Sequence, residues 1–162
     1  MKKKVLIITI SIIVLIAIAI ALFCIIYFNV NNDISKNIDE IFAQNQITYY
    51  YPDSNPNSGY YSLPSSTAKE IVNKHLKGLK FKHTTSHPII YGNSRVIKCG
   101  EMYLAESYVF AVKGKKYKLT DEIKLAFKNI DNEITSVATY LPVRPKETDW
   151  LNKLFYKIQY SI

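Results

Sequence analysis

An apolar run close to the N-terminus constrains this chain more than any other feature. After Lys2–Lys4, residues 5–28 are apolar except for Thr9 and Ser11. As an α-helix these 24 residues span about 36 Å, enough to cross a hydrocarbon core of about 30 Å with some tilt. A lone span in lipid must satisfy its own backbone hydrogen bonds, which only a helix does. The pattern predicts a transmembrane helix over residues 5–28.

The charges on either side of the run predict its orientation. Lys2–Lys4 precede it, whereas Asn29–Asp33 contain no Lys or Arg. Loops rich in Lys and Arg stay in the cytoplasm. We therefore expect a single-pass cell-membrane protein with a basic cytoplasmic N-terminus over residues 1–4 and a C-terminal domain outside the cytoplasm.

Two other interpretations of the run remain open. A signal peptidase could cut after the small-x-small patterns that end at Ala19 and Ala21, but the new N-terminus would then be apolar, unlike most cleavage sites. Lipidation at Cys24 would require a small residue before the cysteine, and Phe23 stands there. An uncleaved signal anchor is therefore the favoured interpretation.

The cysteines and sequons indicate a bacterial surface. Cys99 is the one cysteine beyond the apolar run, so the external domain has no internal disulfide, although secreted domains often carry them. No Asn-x-Ser/Thr sequon occurs, which disfavours a eukaryotic secretory protein. The frequent Ile, Lys, Asn and Tyr are typical of an AT-rich bacterial genome.

Residues 29–64 are predicted to form a stalk helix followed by a Tyr- and Pro-rich extended segment. Within residues 33–44 the apolar positions recur at helical spacing. They are Ile34, Ile38, Ile41 and Phe42. Pro52, Pro56, Gly59 and Pro64 then exclude a helix and any long central strand. We expect an extended loop whose tyrosines lie on the domain.

The remaining residues, 65–162, are predicted to form the external α+β domain. Thr67 and Glu70 match a capping box, which predicts a helix from Thr67 to a glycine C-cap at Gly78. Beyond it the apolar period changes to two. This predicts an antiparallel meander with strands over 108–113, 117–128 and 134–141 and a turn at Gly114–Lys115. Residues 94–104 are a possible further strand.

A short amphipathic helix is predicted near the C-terminus, over Trp150–Ile158. A helix followed by a meander predicts helices packed on one face of a sheet, and its expected core residues are Ile71, Leu76, Phe110, Leu125 and Phe127. Cystatin-like and NTF2-like domains share this outline. The likeness concerns the order of elements, and no sequence motif assigns the chain to either family.

The sequence contains no strong catalytic or metal-binding motif. His83 and His87 are four residues apart, but Thr84–Ser86 and Pro88 favour a loop. We predict no metal site, cofactor or catalytic residue. The alternative is an envelope enzyme that acts through Cys99 with His83 or His87, or through an unrecognised carboxylate pair. Enzyme activity remains undecided, with a binding or interaction role favoured.

Basic residues suggest the candidate binding surface. The chain carries a formal net charge of +8, and lysines concentrate at the hairpin predicted around Gly114. We name Lys113, Lys115, Lys116 and Lys118 as candidate binding residues, together with Tyr60 and Tyr61, whose rings could stack on a ligand. The expected partners are the lipid bilayer and either another envelope protein or an anionic wall polymer. Nucleic acid is not expected, because the domain faces outward.

Overall fold

The structure is a computed structural model that describes residues 2–53, 58–86, 94–100, 102–107 and 109–142. Helices within these residues are α1 (Lys2–Asn29), α2 (Ser35–Phe42), α3 (Ser65–Leu76) and α4 (Asp121–Val137). Strands are β1 (Ile47–Tyr51), β2 (Tyr60–Pro64), β3 (Arg95–Cys99), β4 (Met102–Glu106), β5 (Val109–Val112), β6 (Lys115–Lys118) and β7 (Thr139–Leu141). The helix predicted over Trp150–Ile158 lies outside the described residues.

The strands form one antiparallel sheet in the order β6-β5-β4-β3-β1-β2-β7. Helices α2, α3 and α4 bury their apolar faces in the same core as alternate residues of this sheet. The predicted α+β class is therefore confirmed. A smaller apolar cluster lies on the other face of the sheet, around Tyr51, Tyr60, Val96 and Tyr103.

The segment predicted as stalk and loop is part of the sheet and core. Helix α2 buries the predicted face of residues 33–44, but the expected loop is wrong, because β1 and β2 pair with each other and with β3 and β7. Pro52 follows β1 directly and Pro64 ends β2. Prolines thus bracket the strands without interrupting them, and the sheet continues across the boundary predicted at residues 64–65.

Helix α3 begins two residues before the predicted capping box. Its N-cap is Pro64, which offers no side-chain cap, so Thr67 lies inside the first turn. The Ser65 hydroxyl instead lies 2.8 Å from Thr48 Oγ1 in the core. The predicted glycine stop is confirmed, since Gly78 follows the C-cap with a φ of 87°.

The largest correction concerns α4, where the sequence predicts strand over residues 117–128 and 134–141. Strand ends at Lys118 and resumes only at Thr139. Thr120 caps the intervening helix, its Oγ1 accepting from Ile123 N at 3.3 Å. Asp121 and Glu122 in the first turn favour the helix dipole. The buried side chains follow helical spacing: Ile123, Ala126, Phe127, Ile130 and Ile134.

The helical register explains one failed core assignment. Leu125 is 58% exposed, whereas Phe127 is fully buried. In a strand the two would share a face; in a helix they lie about 200° apart. The other predicted core residues, Ile71, Leu76 and Phe110, are buried.

Hairpin β5–β6 forms close to the predicted position. Its two turn residues, Lys113 and Gly114, have φ values of 50° and 82°, and Val112 pairs with Lys115 across them. Two positive φ values define the tight turn that matches strand twist. The turn lies one residue before the predicted Gly114–Lys115.

Truncation at two α4 positions tests the helical register. We expect Phe127→Ala to lower the free energy of unfolding of the full-length protein by about 3–5 kcal/mol, because it opens a cavity in the core. The matched variant Leu125→Ala should change it by about 0.5 kcal/mol or less, because that side chain is mostly in water. Denaturant unfolding in detergent measures both. Equal losses would support the strand and contradict α4.

Candidate functional site

Helix α1 is apolar on all sides and makes almost no contact with the domain. Residues 7–27 are all exposed, including Cys24. Within α1, Ile7–Asn29 is long and apolar enough to cross a membrane. A signal sequence near an N-terminus has the same length and composition.

The C-terminal end of α1 is joined to the sheet by a small set of polar and aromatic contacts. The Asn32 backbone N–H donates to Phe81 O at 2.7 Å, and its side-chain amide donates to the same oxygen at 2.9 Å. The Tyr27 ring stacks on His83 with centroids 4.3 Å apart, and His83 stacks on Tyr117 at 4.9 Å. We call these contacts the junction.

The junction also covers the edge of the sheet. Thr84 N–H donates to Lys116 O at 3.1 Å, and Lys118 N–H donates to Lys82 O at 2.8 Å. Residues 82–84 therefore occupy the outer hydrogen-bonding groups of β6. Burial lowers the pKa of His83, and Lys115 lowers it further. A hydrogen bond to the Lys116 backbone acts in the opposite direction on this pKa without reversing the shift.

The predicted lysines of the β5–β6 hairpin differ in their surroundings. Lys113 forms an ion pair with Glu40 of α2, which holds the pKa of that carboxyl below its ordinary value. Lys115 and Lys118 are exposed and Lys116 is half-buried. None of these three forms an ion pair within the described part of the chain. Lys113 therefore fixes the hairpin to α2, and the others remain available.

The two predicted tyrosines do not join the lysines. Tyr60 is buried on the second sheet face, where its ring packs against Tyr49 and Tyr51 at centroid distances of 5.7 and 5.4 Å. Tyr61 points to the helix-covered face and packs near Tyr50 and Tyr140. Five strand spacings separate β2 from β6, or about 24 Å. The structure does not bring these candidates into one site.

Cys99 is buried in the core, where its thiol contacts a few polar groups. Its side chain is fully inaccessible, and Sγ lies 3.2 Å from Ser65 Oγ. The thiol also points at the carbonyl oxygens of Asn45 and Ile47, at 3.7 and 3.8 Å. His83 belongs to the junction instead, and His87 lies outside the described residues. The geometry fits a structural thiol.

Beneath α4 lies a buried charged cluster that sequence reasoning missed. Arg95 donates to Glu106 at 2.7 Å, and the Tyr50 hydroxyl donates to Asp131 at 2.9 Å. Burial raises the pKa of Glu106, an effect that Arg95 partly offsets. Burial likewise raises the pKa of Tyr50. One signal was available: Arg95 lies four residues before Cys99 and Glu106 four residues after Met102, so a hairpin that pairs Cys99 with Met102 also pairs Arg95 with Glu106.

Two grooves lie on the surface of the described part of the chain. One, of about 490 Å³, is lined by Asn45, Gln46, Ile47, Tyr49, Lys98 and Gly100. The other, of about 430 Å³, lies just after α1 and is lined by Asn31, Asn32, Asp33, Ser35, Lys77, Gly78, Leu79 and Lys80. We call it the juxtamembrane groove. Across the described residues, no group of His, Cys, Asp and Glu side chains could hold a metal ion.

Comparison of the chain with protein-family models, curated proteins and solved structures finds no match.

Removal of Arg95 tests the buried pair. We expect Arg95→Gln to destabilise the protein at pH 7 by about 1–3 kcal/mol, because Glu106 loses its donor while it remains buried. The double variant Arg95→Gln/Glu106→Gln should recover part of the loss. Denaturant unfolding of the full-length variants measures both changes.

The loss of stability in Arg95→Gln should also depend on pH. A carboxyl whose pKa is higher in the folded than in the unfolded state costs stability as pH rises from its ordinary value of 4.5 through the folded value. Without Arg95 the folded pKa rises further, so Arg95→Gln should lose less stability at pH 5 than at pH 7. A loss independent of pH would show that the pair is exposed to water.

Proposed function

We propose that this protein is a single-pass, signal-anchored protein of the bacterial cell membrane, whose external α+β domain binds another envelope component. The observation that carries the proposal is the contrast between α1 and the rest of the chain. Residues 7–27 expose apolar side chains in every direction, whereas the domain has a closed core of its own. Such a helix needs lipid around it, and the domain does not.

The charge distribution supports the orientation. Lys2–Lys4 precede the span and Asn29–Asp33 follow it without a basic residue, which favours a cytoplasmic N-terminus. The domain begins immediately after the span, at Asn32, and is joined to it by the junction. It is therefore held at the membrane surface instead of on a long tether.

The arrangement of polar groups favours binding over catalysis. A cysteine nucleophile must reach its substrate as a thiolate, and Cys99 is fully buried. Glu106 and Asp131 interact electrostatically, but Arg95 and Tyr50 occupy them. The envelope-enzyme alternative, through Cys99 or a carboxylate pair, would require these groups to become accessible.

The exposed hairpin lysines support an anionic partner. Lys115, Lys116 and Lys118 lie on one short strand, and a wall polymer or the acidic surface of an envelope protein would complement their charge. Tyr60 is buried on the second sheet face, away from this surface, and its ring is not available to stack on a ligand there.

Protease accessibility tests the anchor and its orientation. A membrane-impermeant protease added to intact protoplasts should degrade the domain and leave a short membrane-bound fragment, while a cytoplasmic marker survives. A domain that resists protease until the cells are lysed would reverse the orientation. A domain found in the medium with a new N-terminus near Ala21 would establish a cleaved signal sequence.

A further inference from the structure

We propose that lysines surrounding the exit of α1 from the membrane, Lys77, Lys80 and Lys115, bind the phosphate groups of anionic phospholipids and so hold the domain in one orientation on the bilayer. We call these three residues the lysine collar. The inference rests on the membrane anchor of the proposed function, but not on which side of the membrane the domain occupies.

Two of the three collar lysines, Lys77 and Lys80, line the juxtamembrane groove. Asn31, Asn32 and Asp33 line the groove together with Lys77 and Lys80. The Asn32 bonds to Phe81 hold the two walls together, because Phe81 directly follows Lys80. Both lysines are exposed, and neither forms an ion pair within the described ranges. The groove therefore presents two free ammonium groups at the end of the membrane helix.

Asp33 is an acidic residue in this groove, and its carboxylate is already engaged. It accepts from Ser35 N at 2.8 Å and from Ser35 Oγ at 2.5 Å, and these bonds lower its pKa. Asp33 thus holds the chain at the start of α2. Its charge weakens the field of Lys77 and Lys80 but does not cancel it.

Lys115, the third lysine of the collar, lies near the ring that contacts α1. It adjoins Lys116, whose carbonyl oxygen accepts from Thr84 N, and it is close enough to His83 to affect that ring. The same ring stacks on Tyr27 of α1. Glu40 lies near Lys115, but Lys113 is its ion-pair partner.

The distance of the juxtamembrane groove from the end of the predicted span matches the position of the lipid headgroups. Asn31 lies three residues beyond Phe28, which places it at most about 11 Å from the end of the predicted span. The polar region of a bilayer extends about 5–8 Å beyond the hydrocarbon core on each side. Extended lysine side chains at the groove can therefore reach lipid phosphates. A wall polymer would have to approach the same residues between the domain and the membrane, so the geometry favours lipid.

Lysine footprinting of the full-length protein in nanodiscs tests the inference. An amine-acetylating reagent is applied in nanodiscs of phosphatidylcholine and in nanodiscs with half phosphatidylglycerol, and each lysine is quantified by mass spectrometry. We expect the reaction of Lys77, Lys80 and Lys115 to fall several-fold in the anionic discs. Lys124 and Lys128, exposed on α4, serve as controls and should react equally in both.

A charge-matched pair of variants supplies the second measurement. In mixed nanodiscs, native mass spectrometry counts the phosphatidylglycerol retained by Lys77→Gln/Lys80→Gln and by Lys124→Gln/Lys128→Gln. We expect a several-fold loss for the collar variant alone, since each lysine at an anionic surface contributes about fivefold in affinity. Equal losses, or equal acetylation in both lipids, would overturn the proposal. So would protection that appears only when teichoic acid is added.

These outcomes are separable from failure of the proposed function. A nanodisc has no inside, so the footprint is the same whichever side the domain occupies in the cell. A reversed orientation or a cleaved signal would appear in the protoplast experiment and leave the lipid result unchanged.

Discussion

The junction between α1 and the sheet determines how the domain is held on the end of the apolar helix. Two hydrogen bonds from Asn32 to Phe81 and the Tyr27–His83–Tyr117 stack hold the helix end against the edge strand β6. Without them the domain would be tethered by a few residues and could rotate freely. With them, the juxtamembrane groove and the hairpin lysines are held at a fixed position relative to the end of α1. The binding role and the lipid contact that we propose both depend on that placement.

The domain that the junction joins to α1 is built around one main core. Helices α2, α3 and α4 pack on one face of the sheet around Phe110 and Phe127, and several polar groups buried in the domain are paired. The side chains of Thr48, Ser65 and Cys99 form one buried hydrogen-bonded network. Arg95 forms an ion pair with Glu106 beneath α4. Buried polar groups left unpaired would cost stability. Their pairing indicates that Cys99 and Glu106 contribute to the stability of the fold.

Sequence patterns correctly predicted the features that depend on a long apolar run or on a clear change of period. They failed where the same residues satisfy both the strand period and the helix period. The apolar run was recognisable from its length, and the α+β class from the change of period after residue 78. Helix α4 was missed because Ile123, Leu125 and Phe127 alternate like a strand, although Ile123, Phe127, Ile130 and Ile134 also satisfy a helix. The cap at Thr120 and the acidic first turn were the deciding signals. The junction and the Tyr50–Asp131 contact could not be predicted, because their partners lie between 34 and 81 positions apart in sequence and meet only through the sheet order.

The most direct test of this account is the distance between Tyr27 and His83 in the full-length protein. Nuclear Overhauser effects between their ring protons can be measured in nanodiscs after selective labelling of tyrosine and histidine. The stacked rings, 4.3 Å apart at their centroids, predict strong cross-peaks and His83 proton shifts that change on Tyr27→Leu. Absence of the cross-peaks, with His83 shifts unaffected by the substitution, would show that the domain is not held on the helix end and would contradict the account.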